Sequence, residues 1–176
     1  MIEVREVKDG NEWEGFLAGH PEASFLQSWY WGDFYLALNN RIERTGFYKN
    51  GQLVGVMLSI VEEAKRARYL TVPGGPIIDW GDDKEEIHTF RDEIGRIAKE
   101  NKCVFVRVRP QLTANQNSEK IFSDYGFRNA PIHLHAELTS QLNITKPEEE
   151  ILAGMRKTTR YEIKKAISQG VKITNF

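Results

Sequence analysis

The sequence predicts an α/β (α+β) fold, a mixed and mostly antiparallel sheet flanked by helices. Three observations carry this. Period-two alternation recurs in short runs, as in Val104, Val106 and Val108 against Phe105, Arg107 and Arg109. Apolar residues at three- and four-residue spacing recur between those runs, most clearly Ile87, Phe90, Ile94, Ile97 and Ala98. Asn50-Gly51 sits between two strand-like runs, the composition of a tight hairpin turn. The element order β-α-α-β-β-β-α-β-α-β is that of a layered α/β domain.

The elements follow in turn. Residues 2–7 alternate and form a strand, and Asp9-Gly10-Asn11 then turns and caps a short helix carrying Trp13, Phe16 and Leu17. His20-Pro21-Glu22 breaks that helix, and Ser28 caps a second one over 29–39, with Trp31, Phe34, Tyr35 and Leu38 on its stripe. Strands are expected at 42–48, 52–62 and 68–72. Pro73-Gly74-Gly75-Pro76 is a stiff, sharply bent loop, after which Ile77-Ile78 returns to extended backbone. Asp82-Asp83 opens a helix running to about residue 102, followed by a strand at 103–109 and a short helix at 118–125 ended by Gly126. Residues 133–144 alternate as a long strand. Thr145 caps a helical run with acids in its first turn, which continues to Gln169 and stops at Gly170. Residues 171–176 begin a strand with no partner left in the sequence, so the expectation is a fragment of a longer chain.

Composition bounds the class. At 40% hydrophobic and 28% charged, the 176 residues exclude a disordered tail, a collagen-like fibre and a disulfide scaffold. No apolar run approaches the length that spans a bilayer, and the opening Met1-Ile2-Glu3-Val4-Arg5-Glu6 is a strand pattern rather than a signal peptide. The single cysteine, Cys103, cannot pair internally, which points to a reducing, cytoplasmic setting. Charge is uneven. Residues 155–176 carry six bases and one acid, net +5, while the rest carries eighteen bases and twenty-four acids, net −6.

No metal site is legible: His133 and His135 share a strand face, but no Cys pair or HExxH helix accompanies them. A nucleophile elbow and a phosphate loop are missing too, and Cys103 reads as a small apolar residue at a strand start. Gln52-Leu53-Val54-Gly55-Val56 is superficially similar to an acyl-CoA pyrophosphate loop, yet it falls within a hairpin strand rather than before a helix. Three segments carry more. The run 25–35, Phe25-Leu26-Gln27-Ser28-Trp29-Tyr30-Trp31-Gly32-Asp33-Phe34-Tyr35, holds more rings than one face of a short helix can bury, and is either a core-packing helix or one that lines a groove with some of those rings. The run 72–79, Val72-Pro73-Gly74-Gly75-Pro76-Ile77-Ile78-Asp79, either shapes a pocket floor or turns a corner. In the run 155–166, Arg156, Lys157, Arg160 and Lys164 make a cationic stripe suited to phosphates or simply a solvated helix face.

Together these segments resemble the Fem family of non-ribosomal peptidyl transferases. The resemblance lies in a Gln-Ser-x-x-Trp-Gly-x-Phe helix (Gln27, Ser28, Trp31, Gly32, Phe34) and a Gly-Pro-Ile loop before an acidic turn (Gly75, Pro76, Ile77, Asp79). Its third part is a Lys-Thr-x-Arg-x-x-Ile-x-Lys-Ala helix (Lys157 to Ala166) leading into Gly170-Val171. It implies a GCN5-related acetyltransferase fold, with 1–143 as a first domain and 144–176 as the opening helix and strand of a second. It further implies an aminoacyltransferase of cell-wall interpeptide bridge formation. Such an enzyme moves an amino acid from aminoacyl-tRNA, its co-substrate in place of any cofactor, to a stem-peptide amine of a peptidoglycan precursor, lipid-linked or nucleotide-linked. Peripheral membrane contact would accompany a lipid-linked substrate. The substrate-binding residues implied or suggested are Trp31, Tyr35, Gly75, Pro76, Arg107, Arg109, Lys157, Thr159, Arg160 and Lys164. No catalytic residue is named, since the family's catalytic groups lie largely in the second domain, and this chain alone is expected to be inactive. Family members often carry Lys where this sequence has Tyr35, a phenol without positive charge. The competing readings are an acyl-CoA-dependent N-acetyltransferase and a non-catalytic RNA-binding module.

Overall fold

The computed structural model describes residues 1–81, 84–132, 134 and 142–174. The chain divides into two units, Met1–His135 and Ala136–Phe176. The first is built on a five-stranded sheet of β1 (Ile2–Glu6), β2 (Arg41–Lys49), β3 (Gln52–Ala64), β4 (Ala67–Pro73) and β5 (Val106–Arg109), lying side by side in chain order. The first four strands pair antiparallel and β5 runs parallel to β4. Helices α1 (Gly10–Ala18) and α2 (Trp29–Ala37) intervene between β1 and β2. Helix α3 (Lys84–Glu100) is the crossover that a parallel β4–β5 pair requires, and α4 (Gln116–Asp124) follows β5.

Local chemistry accounts for these elements. Asp9 accepts from the Asn11 N–H and starts α1, as its sequence position suggests. Asn50 and Gly51 both take positive φ, 53° and 80°, so a two-residue turn joins β2 to β3 with Lys49 opposite Gln52. Strand β3 is central and buried continuously from Gly55 to Val61, because both its faces are covered. On one face Met57 and Val61 join Phe47, Leu70 and Val72 against Ile87, Phe90, Ile94 and Ile97 of α3. On the other, Val56, Leu58 and Ile60 join Tyr48 and Ile77 against Trp13 and Leu17 of α1.

Several sequence expectations need correction. The strand expected over 103–109 is regular only from Val106; Val104 and Phe105 are 70% and 44% exposed, although the Val104 N–H already bonds to Arg68 O and Phe105 O accepts from the Leu70 N–H. Helix α4 starts at Gln116 rather than Ser118, because Asn115 and Ser118 form a reciprocal capping box. Helix α3 stops at Glu100, two residues before Lys102 turns to φ 55°. Its expected opening at Asp82-Asp83 lies outside the described residues, as do residues 133 and 135–141 of the strand expected at 133–144, His133 and His135 among them; the described residues 134 and 142–144 are not in a strand.

In the second unit the single helical run is two helices, α5 (Glu148–Gly154) and α6 (Lys157–Ser168). Met155 and Arg156 between them are extended, with ψ of 155° and 149°, directly after Gly154, a weak helix former. Thr145 is not the cap; its hydroxyl bonds to Asn143 Oδ1, and Pro147 holds the cap position without a side-chain bond. Residues 171–174 form no strand. Among the described residues no helix is long and apolar enough to cross a membrane.

Candidate functional site

The loop after β4 is stapled to the sheet by one buried amide. A short 3-10 turn, Phe25–Gln27, delivers Gln27, which is fully buried. Its Nε2 donates to Pro73 O at 2.8 Å and Leu58 O at 3.1 Å, and its Oε1 accepts from the Leu58 N–H at 2.8 Å. Gln27 O in turn accepts from the Trp13 indole at 2.7 Å. Gly75 lies against this amide so closely that a Cβ there would be 2.4 Å from Gln27 Cδ. Gly74 takes φ 66°, and the Gly75-Pro76 peptide is cis. Beyond it Ile77 exchanges two backbone bonds with Val56, at 2.9 and 3.0 Å. The stiff loop foreseen in the sequence is therefore held at both ends. Gln27 was legible as a motif residue, but its role as the clamp was not.

Helix α2 carries the next part. Ser28 Oγ accepts from the Trp31 N–H and caps it. Arg44 of β2 fixes its first turn, donating to Trp29 O and Asp33 Oδ1 and lying 3.7 Å over the Trp29 ring. Only Gly32 allows this approach, since a Cβ there would be 2.7 Å from Arg44 Nη2. Trp29, Trp31 and Tyr35 pack half-buried against the core on this face of the sheet, while the outer rings do not. Phe25, Trp31, Phe34 and Tyr35 pack on one another with Trp31 at the centre, while Phe25 remains 67% and Phe34 48% exposed. This is an aromatic ledge.

Tyr35 meets the sheet. The Glu62 carboxylate of β3 acts on its phenol, and Glu62 stands opposite Tyr69 of β4. Burial first, and the Glu62 carboxylate second, push the Tyr35 phenol above its ordinary value, and burial does the same for Tyr69. Tyr69 stacks on Phe105 with centroids 4.9 Å apart. Arg107 lies opposite Thr71 and next to Tyr69, which its charge acts on, and its Nη1 donates to Ile132 O at 2.6 Å. Arg109 lies opposite Pro73. Of the residues expected to touch substrate, Trp31, Tyr35 and Arg107 thus belong to one half-exposed face, with Glu62 and Tyr69 as members the sequence did not indicate. Gly75 and Pro76 are buried, and they shape the loop.

In the second unit Lys157, Thr159, Arg160 and Lys164 are all exposed on α6. Lys157, Arg160 and Lys164 follow three- and four-residue spacing and share a stripe; Thr159 lies toward the half-buried Ile163 instead.

A cleft of about 640 Å3 opens in the first unit between residues 76–81 and 111–121, with His20 and Glu22 in its lining. Of the ten substrate-binding residues named from sequence Pro76 alone lines it, but Ile77, Ile78 and Asp79 of the 72–79 run line it too, so that run does form part of a pocket wall. Among the described residues no group of three or more His, Cys, Asp or Glu is placed to hold a metal. The Gln52–Gly55 run is paired along β3 with β2, so its backbone groups serve the sheet and not a phosphate cradle. Cys103 is half-buried, and burial pushes its thiol up. Because the thiolate is the reactive form, iodoacetamide at pH 8 should label Cys103 several-fold more slowly than free cysteine, with urea restoring the ordinary rate. Labelling as fast as free cysteine would contradict its burial.

The profile of the FemAB family matches residues 9–130. Over 145 residues the chain is 26% identical to the aminoacyltransferase FemA of Staphylococcus epidermidis, a match covering 70% of this chain and 34% of that protein. The crystal structure of FemX superposes with a TM-score of 0.71 at 18% identity, covering 94% of this chain and 43% of that one. AAC(6')-Iy, in complex with a CoA-containing bisubstrate analogue, superposes at a TM-score of 0.55 and 11% identity, and a ribosomal-protein-alanine N-acetyltransferase from Brucella melitensis at 0.52 and 15%. The fold is therefore that of the GCN5-related acetyltransferases, and the chain spans about a third of the length of the curated relatives it matches.

Proposed function

The chain belongs to the FemAB family, and from that premise we propose that it is the acceptor-binding part of an aminoacyltransferase. Its reaction moves an amino acid from aminoacyl-tRNA to the side-chain amine of a peptidoglycan precursor's stem peptide, in the cytoplasm and with peripheral membrane contact where the precursor is lipid-linked. Residues 1–143 act as the first acetyltransferase-like domain and 144–176 as the opening of a second. One observation carries the reading: two motifs far apart in sequence, the Gln-Ser-x-x-Trp-Gly-x-Phe helix and the Gly-Pro loop, form one assembly through Gln27. Aminoacyl transfer asks chiefly for the positioning of two large anionic substrates and stabilisation of an oxyanion. Trp31, Tyr35, Arg107 and Arg109 supply an aromatic and cationic face for the precursor, with Gly75 and Pro76 shaping the loop behind it. Arg107 and Arg109 offset the charge that Tyr35 does not bring.

Titrating the nucleotide-linked precursor against the protein tests the first half of this. Arg107→Gln should weaken binding about tenfold, one charge-assisted hydrogen bond; unchanged affinity would remove Arg107 from the site. The second half assigns Lys157, Thr159, Arg160 and Lys164 to the tRNA or precursor phosphates. The triple variant Lys157→Glu, Arg160→Glu, Lys164→Glu should weaken tRNA binding and flatten its salt dependence by a slope of about 2–3. A slope equal to that of the unaltered protein would sink that assignment. An acyl-CoA-dependent acetyltransferase is the alternative. The pairing of the Gln52–Gly55 run within the sheet counts against it.

A further inference from the structure

We propose that the cleft between residues 76–81 and 111–121 is a second ligand site, taking an uncharged saccharide. Its volume of about 640 Å3 lies within the range of small-molecule sites, roughly 300–1,000 Å3. Val54, Ile77, Leu112 and Ile121 give it an apolar lining against which the C–H face of a sugar ring can lie. The polar lining is unusually rich in planar amides and hydroxyls. The side chains of Gln111, Thr113 and Asn117 have no hydrogen-bond or ionic partner among the described residues, so their donors and acceptors are available. Asn115 and Ser118 are already committed to capping α4, which fixes the wall that bears Asn117.

His20 adds a directed acceptor. Its Nδ1 lies 2.8 Å from Phe16 O and its ring stacks on Phe16 at 4.2 Å. A carbonyl only accepts, so Nδ1 carries the hydrogen and, in the neutral ring, Nε2 presents its lone pair. The charge of the lining selects among ligands. It contains Glu22 and Asp79 but no Lys or Arg, so a phosphate or carboxylate would be repelled. A hydroxyl suits both kinds of group, since it donates to carboxylate and imidazole acceptors and accepts from amide N–H. Vicinal hydroxyls are spaced to engage both atoms of one planar amide or carboxylate. This site does not rest on the aminoacyl-transfer reading: the cleft contains none of Trp31, Tyr35, Arg107 or Arg109.

The test is a titration of the protein with methyl glucoside and with N-acetylglucosamine, followed by amide NMR and by the His20 ring signals. Saturable shifts are expected at Gln111, Thr113, Asn117 and His20 with at least one sugar. Gln111→Ala and Asn117→Ala, both at surface positions, should each weaken the binding about tenfold, while Arg107→Gln leaves it unchanged. Three results would overturn the proposal: no shift with either sugar at tens of millimolar, shifts at these residues with inorganic phosphate or a lysine amide but not with sugar, or sugar binding indifferent to both alanine variants. Loss of precursor binding in Arg107→Gln with sugar binding intact would separate this site from the function proposed above.

Discussion

Gln27→Ala is expected to destabilise the first unit by about 3–5 kcal/mol, enough to leave it marginally folded. The deletion does more than open a cavity. It leaves the Leu58 N–H and the carbonyls of Leu58 and Pro73 without their side-chain partner, in a place closed to water. Gln27→Met, which keeps the volume, should recover only the packing share of that loss, because the polar groups stay orphaned. Gln27→Glu should do no better: a carboxylate accepts from the Leu58 N–H but turns an oxygen toward two carbonyls, and it buries a charge. Urea unfolding of the three variants checks the order. A loss below about 1 kcal/mol for the alanine variant would mean that the loop after β4 is held by something other than this amide.

Gly75→Ala is the second large effect, about 2–3 kcal/mol. The added methyl would lie 2.4 Å from Gln27 Cδ, and Gln27 cannot yield because three hydrogen bonds pin its amide. The two positions should therefore couple. In the Gln27→Ala background the methyl enters vacated space, so the double variant should be more stable than the sum of the single effects by about 1–2 kcal/mol. Simple additivity would show that Gly75 and Gln27 do not contact each other in solution.

The readable parts of the fold were those set by local chemistry. The Asn50-Gly51 hairpin, the Asp9 and Ser28 caps and the α3 stripe all follow from residues within a few positions of one another. The departures arise where distant or subtle partners decide. The Asn115–Ser118 capping box moved the start of α4, and the extended pair Met155-Arg156 split one expected helix into two. The candidate site divides in the same way. Trp31 and Tyr35 could be named because the family motif marks their positions, and Arg107 because strand alternation sets it on one face with Arg109. Glu62 and Tyr69 could not, because only the β3–β4 register sets them opposite one another beneath Tyr35. Gln27 was a polar letter among aromatics, and its partners lie thirty-one and forty-six residues away.

The account stands most directly on one measurement. The protein encoded by the complete reading frame is incubated with purified peptidoglycan precursor and a set of charged tRNAs, and the precursor is weighed by mass spectrometry. An added aminoacyl residue that disappears when charged tRNA is omitted is the predicted result, and its mass names the amino acid. A precursor left unchanged with every charged tRNA, above all if acetyl-CoA supports acetylation of an amine instead, would contradict aminoacyl transfer and leave an acetyltransferase in its place.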